Sequence, residues 1–116
     1  MDIRNLERIV AEFTDKYHFV PWKEVEKVEK KTKPMFTKKQ LQMDGKSFVN
    51  ITEYYDKNTN RKEYVLFISK VDFILEDGEY SVETYNDSFS INVTDISDEQ
   101  TLVETMIEKC KEYNYL

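Results

Sequence analysis

The sequence predicts an α+β fold: an antiparallel β-meander of four to five strands, with the N-terminal and C-terminal helices packed on one face. Three observations carry this prediction. Apolar residues recur at steps of three and four near both ends of the 116-residue chain, they alternate with period two in between, and Asp-Gly pairs punctuate the alternation. The length suits one small domain spanning residues 1–116, enough to bury a core.

Ile3, Leu6, Ile9, Val10, Phe13 and Tyr17 place an apolar stripe on one side of a helix from about Asp2 to His18, with Arg4, Glu7, Arg8, Glu12 and Asp15 on the other. His18 ends it, where a cationic imidazole would meet the negative end of the helix dipole. Pro21-Trp22 restarts the chain and Pro34 stops it. Only Trp22, Val25 and Val28 can face a core between them, so residues 22–33 read as a short, weakly held helix, with a strand as the alternative. Within it Glu26–Lys30 attract and Lys27–Lys31 repel at i,i+4 spacing.

Asp44-Gly45 and Asp77-Gly78 each separate two apolar alternations, the strongest local hairpin signal, because both central residues of such a turn need φ > 0. The polar run Asp56–Asn60 predicts a third turn, and Asn86-Asp87 another. Between the turns lie Val49/Ile51, Val65/Phe67, Val71/Phe73/Leu75, Tyr80/Val82 and Phe89/Ile91/Val93. Tyr54 and Tyr55 point to opposite faces of one strand, so at least one is expected in the core. Ser97 with Gln100 fits a capping box. It opens a last helix whose buried arc is Leu102, Val103, Met106, Ile107, Cys110 and Tyr113.

Composition removes several chemistries. Two glycines cannot build a phosphate-cradling loop, and one cysteine builds neither a disulfide nor a multi-cysteine zinc site. With a single histidine, a triad or His-rich metal centre is not expected. No Asp-x-Asp-x-Asp-Gly calcium loop occurs. Cys110 falls on an apolar arc and reads as a packed thiol. The expectation is therefore a protein without catalytic residues, metal or cofactor. The longest run free of polar residues is Tyr64–Ile68, far short of the roughly 20 that a spanning helix needs. Charges at Asp2, Arg4, Glu7 and Arg8 leave no secretory apolar region, so the expected compartment is the cytoplasm.

Charge is the feature that separates the two halves. The chain carries −6 overall, but residues 1–70 sum to +4 and residues 71–116 to −10. Glu104, Glu108 and Glu112 form a ridge at i,i+4 spacing, and Asp72, Glu76, Asp77, Glu79 and Glu83 flank the second Asp-Gly turn. These eight residues are the candidate binding set for a protein partner with a basic surface, since acidic groups steer association with cationic ones. The bland alternative is a solvated face that keeps a small protein in solution. Usage heavy in Lys, Glu, Asn, Tyr and Ile is similar to that of proteins from AT-rich bacteria and their phages. That similarity implies an inhibitor or immunity-type protein that occludes a nucleic-acid-handling partner. The second function class is a nucleic-acid-binding or accessory protein using the Lys-rich segment 23–46, where eight lysines meet four acids. Without arginine or a recognition-helix pattern in that segment, nucleic acid is the less favoured partner. A homodimer through an open sheet edge is a further alternative.

Overall fold

A computed structural model describes residues 1–31 and 35–116. Pro34, read above as the stop after the second helix, and Lys33 of the basic segment lie outside the described residues. Along the chain the elements are α1 (Ile3–Lys16), α2 (Trp22–Glu29), α3 (Lys38–Leu41), β1 (Ser47–Asp56), β2 (Arg61–Glu76), β3 (Glu79–Asn92) and α4 (Glu99–Glu112).

α1 begins where the Asp2 carboxylate accepts the Asn5 N–H, satisfying one of the unpaired donors of the first turn. It ends in a Schellman motif. The Phe19 N–H reaches the Thr14 carbonyl at 2.9 Å, the His18 N–H reaches that of Asp15, and His18 adopts φ 58°. The Phe13 and Phe19 rings close the motif edge-on at 5.5 Å. α4 ends the same way: Tyr115 N–H to the Cys110 carbonyl, Asn114 N–H to that of Lys111, and Asn114 at φ 63°. Its N-cap is Asp98, whose carboxylate accepts the Thr101 N–H at 2.7 Å, and not Ser97 as expected; the longer reach of the carboxylate one residue on takes the role.

The sheet corrects the expected strand count. Among the described residues it has three strands in the order β1-β2-β3, all antiparallel, and not four or five. The apolar runs around Val65/Phe67 and Val71/Phe73 belong to one 16-residue strand, and Tyr80/Val82 and Phe89/Ile91 to one of 14. Asn86-Asp87 is not a turn. Asp87, at φ 54°, and Ser88 stand opposite Ser69 as a β-bulge, and Thr84 and Tyr85 stand opposite Val71 as a second. Gln40–Met43, the alternation expected to pair across Asp44-Gly45, is likewise no strand. Thr37 and Gln40 form a reciprocal capping box that starts the one-turn α3, and Gly45 (φ 72°) serves the exit from that turn into β1. Tyr54 and Tyr55 are both largely exposed, at 44% and 56%, because this end of β1 runs past the core clusters. Segment 22–29 is helical, starting from Pro21.

The apolar residues separate into two clusters. Leu6, Ile9, Val10 and Phe13 of α1 and Leu102, Met106 and Cys110 of α4 pack with Val49, Leu66, Ile68, Phe89 and Ile91 of the sheet. Val25 and Val28 of α2 pack with Phe48 and Val71, flanked by Trp22 and Phe67. Phe48 and Val49 are neighbours in one strand and so face opposite sides, which sets α2 on the reverse face from α1 and α4. No helix among the described residues is long and apolar enough to cross a membrane.

Candidate functional site

The register of β2 and β3 determines where the expected acidic residues point. Ile68 pairs with Phe89, Lys70 with Asn86, Asp72 with Glu83, Ile74 with Ser81, and Glu76 with Glu79. Alternate residues of a strand share a face, so Asp72, Glu76, Glu79 and Glu83 project from the same side of the sheet as Ile68, the side that carries α4. Asp77 sits at the tip in a left-handed conformation (φ 50°) beside Gly78 (φ 77°), as the predicted turn requires. The reverse face of this distal hairpin carries Phe73 opposite Val82 and Leu75 opposite Tyr80. Phe73 and Val82 pack against the α2 cluster, whereas Leu75 is 58% exposed.

Glu104, Glu108 and Glu112 are exposed along α4. Glu104 accepts from Gln100 at 3.0 Å and Glu112 pairs with Lys109 at 3.3 Å. The ridge meets the hairpin at the end of α4. There Glu112, Tyr113 and Asn114 border a shallow depression with Lys70, Asp87 and Ser88. Tyr115 Oη donates to the Asp87 carbonyl at 2.6 Å, and Lys70 lies over the Tyr115 ring at 5.1 Å. Burial, then the nearby Asp87 charge, pushes the Tyr115 hydroxyl up to about 12, so it stays a proton donor. Asp72 accepts from Asn86 Nδ2 at 2.5 Å and continues the polar path onto the hairpin. Seven of the eight candidate carboxylates thus lie on one side of the molecule, and Asp77 is at its tip. Sequence spacing missed the joint made by Lys70, Asp87 and Tyr115, which depends on the bulge and on the end of α4.

The hairpin carboxylates are set in unfavourable pairs. Asp72 stands directly opposite Glu83, and Glu76 opposite Glu79. Like charges in such positions destabilise a sheet, where opposite charges would contribute roughly 0.2–1 kcal/mol.

Other titratable groups have structural partners. Glu63 is the one buried carboxylate among the described residues. It accepts from Thr94 Oγ1 at 2.6 Å, Asn92 Nδ2 at 3.4 Å and Arg61 Nε at 3.2 Å. The Thr94 hydrogen bond foremost holds its pKa below the usual carboxylate value. This network ties the segment after β3 to the start of β2. Arg8 bridges Glu12 and Glu99 and so links α1 to α4. Cys110 is buried, and its thiol is pushed up to about 11 by desolvation, which leaves it protonated at neutral pH. Among the described residues no group of three or more His, Cys, Asp or Glu is placed to hold a metal ion.

A second concave region lies along the outer edge of β1. It measures about 1290 Å³ and is bordered by Val10, Ala11 and Thr14 of α1, by Trp22, Lys23 and Lys27 of α2, and by Val49–Ile51 of β1. Compared with known proteins, the chain matches no family model, no curated protein and no solved structure.

Proposed function

We propose that the chain is a non-enzymatic protein-interaction module whose acidic C-terminal half occludes the basic surface of a nucleic-acid-handling partner. One observation carries this reading. Cross-strand pairing of like charges at Asp72–Glu83 and Glu76–Glu79 costs fold stability, on a stretch of hairpin that needs no charge to form. A surface kept at that cost is accounted for by a cationic partner that relieves the repulsion on docking. The α4 ridge and the hairpin meet where Glu112 and Asp87 border one depression together with Lys70, which supports reading them as a single surface. Solubility alone would be served as well by acids placed without mutual opposition.

The test is affinity capture from lysate, nuclease-treated and untreated, with the wild-type chain and with the variant Glu76→Lys, Glu79→Lys, Glu108→Lys. The expected result is a protein retained by wild type after nuclease, released by moderate salt, and lost from the variant. Retention undiminished by the reversal overturns the acidic surface. Nucleic acid recovered only without nuclease transfers the function to the lysines of segment 23–46.

A further inference from the structure

The second concave region supports an inference independent of the acidic half. β1 is an edge strand, with β2 on one side only. Two hydrogen bonds fix which of its backbone groups face outward. The Lys46 carbonyl accepts the Val71 N–H at 2.9 Å on the β2 side, and the Ser47 carbonyl accepts the Val20 N–H at 2.8 Å on the other. Backbone groups alternate in direction along an antiparallel strand. Phe48 and Asn50 therefore bond to β2, and Val49 and Ile51 turn their N–H and C=O groups toward the groove. Those groups have no hydrogen-bond partner among the described residues. Val49 is only 2% exposed, and unpaired backbone groups in buried surroundings are rare in folded proteins.

The groove walls fit one extended chain. Glu7, Val10, Ala11, Thr14 and Asp15 run along one wall, about 12 Å of α1, which is the length of roughly four strand residues. The opposite wall is lysine-rich, with Lys23, Lys27, Lys39 and Lys46 against one acid, Glu24. Lys23, Lys39 and Lys46 have no carboxylate within ion-pair distance among the described residues, whereas Lys27 is matched by Glu24 at 3.2 Å. A strand lying between the walls presents alternate side chains to each. One row meets Val10, Ala11, Val49 and Ile51, and the other meets the lysines. A second copy fits less well, because its own β1 arrives flanked by α1 and α2 at the very place where these walls rise.

We propose that the outer edge of β1 is a strand-addition site, taking an extended segment of a partner in which apolar and acidic residues alternate. Main-chain bonds to Val49 and Ile51 hold the segment, and Lys23, Lys39 and Lys46 select its charge.

Trp22, the single tryptophan, borders the groove and reports occupancy by its emission. The probe is a pool of eight-residue peptides alternating Val or Ile with Asp or Glu, free of aromatic residues. The expected result is a saturable change in Trp22 emission, with amide exchange at Val49 and Ile51 slowed at least about tenfold while Asn50 is unchanged. N-methylation of every second peptide amide, in the register facing β1, abolishes both. The variant Lys23→Glu, Lys39→Glu, Lys46→Glu, checked for an unchanged fold by circular dichroism, weakens binding roughly tenfold or more. The proposal is overturned by no response at millimolar peptide, by equal binding of a Val/Lys pool, or by indifference to N-methylation. It is equally overturned if Val49 and Ile51 become protected with rising protein concentration alone as light scattering shows a doubled mass, which makes the occupant a second copy.

Discussion

The β2–β3 ladder is one continuous structure with two unlike halves. Near the helices, Leu66 and Ile68 lie opposite Ile91 and Phe89, sealed under Leu6, Ile9, Leu102 and Met106. Beyond the bulges the same strands carry Asp72, Glu76, Glu79 and Glu83 on the continuation of that face, with Leu75 and Tyr80 exposed behind. A strand of 16 residues is about three times the usual length. The first half is what the fold needs. The second packs on one face only, through Phe73 and Val82, and on the other its composition follows charge.

The sharpest way to break this contrast is to truncate one apolar residue in each half. Leu66→Ala is expected to cost about 2–5 kcal/mol in urea unfolding, since the cavity sits under two helices. Leu75→Ala is expected to change stability by no more than about 0.5 kcal/mol. Equal losses would make the hairpin part of the core.

Glu63 gives the near half a pH signature. Its folded pKa is depressed, so its stabilisation is present above the unfolded carboxylate value and is lost as pH falls through the lower folded value. Glu63→Gln is therefore expected to lower the melting temperature at pH 7 by less than the Leu66 cavity does. The gap to wild type should close as pH drops below about 4. A gap independent of pH would show that packing and not charge is lost.

Two smaller effects refine the distal half. Gly78 has φ 77°, and no atom lies within 4 Å of where an added methyl group would sit. Gly78→Ala therefore costs only backbone strain, about 1 kcal/mol by denaturation. Glu79→Lys converts the pair with Glu76 from repulsive to attractive and is expected to stabilise the fold by roughly 0.2–1 kcal/mol while weakening partner capture. A variant both more stable and fully competent in capture would separate the charge from the function.

Much of the fold was legible wherever a local rule decides the outcome. The stripe from Ile3 to Tyr17 gives α1, Asp77-Gly78 gives the distal turn, and the helical reading of Trp22 onward holds although little local preference supports it. Misreadings fell where one local signal serves two geometries. Asp44-Gly45 places φ > 0 correctly at the glycine, but at the exit from a helical turn, because Thr37 and Gln40 cap one another just upstream. Asp87 also takes φ > 0, as a bulge inside a strand and not as a turn between two. Of the candidate surface, the residues were evident from charge alone. Their common face was not, since it depends on register across two bulges. The β1 groove left no trace in the sequence, because its walls come from α1 and α2, which meet the strand edge only in three dimensions.

The two bulges also govern how far the sheet can grow. An edge with two residues crowded against one twists and breaks its row of hydrogen-bonding groups, so β3 is a poor template for a further strand. β1 has no such interruption in its pairing with β2. The two edges of the sheet are therefore unequal templates, and a further strand is expected to join at β1 before β3.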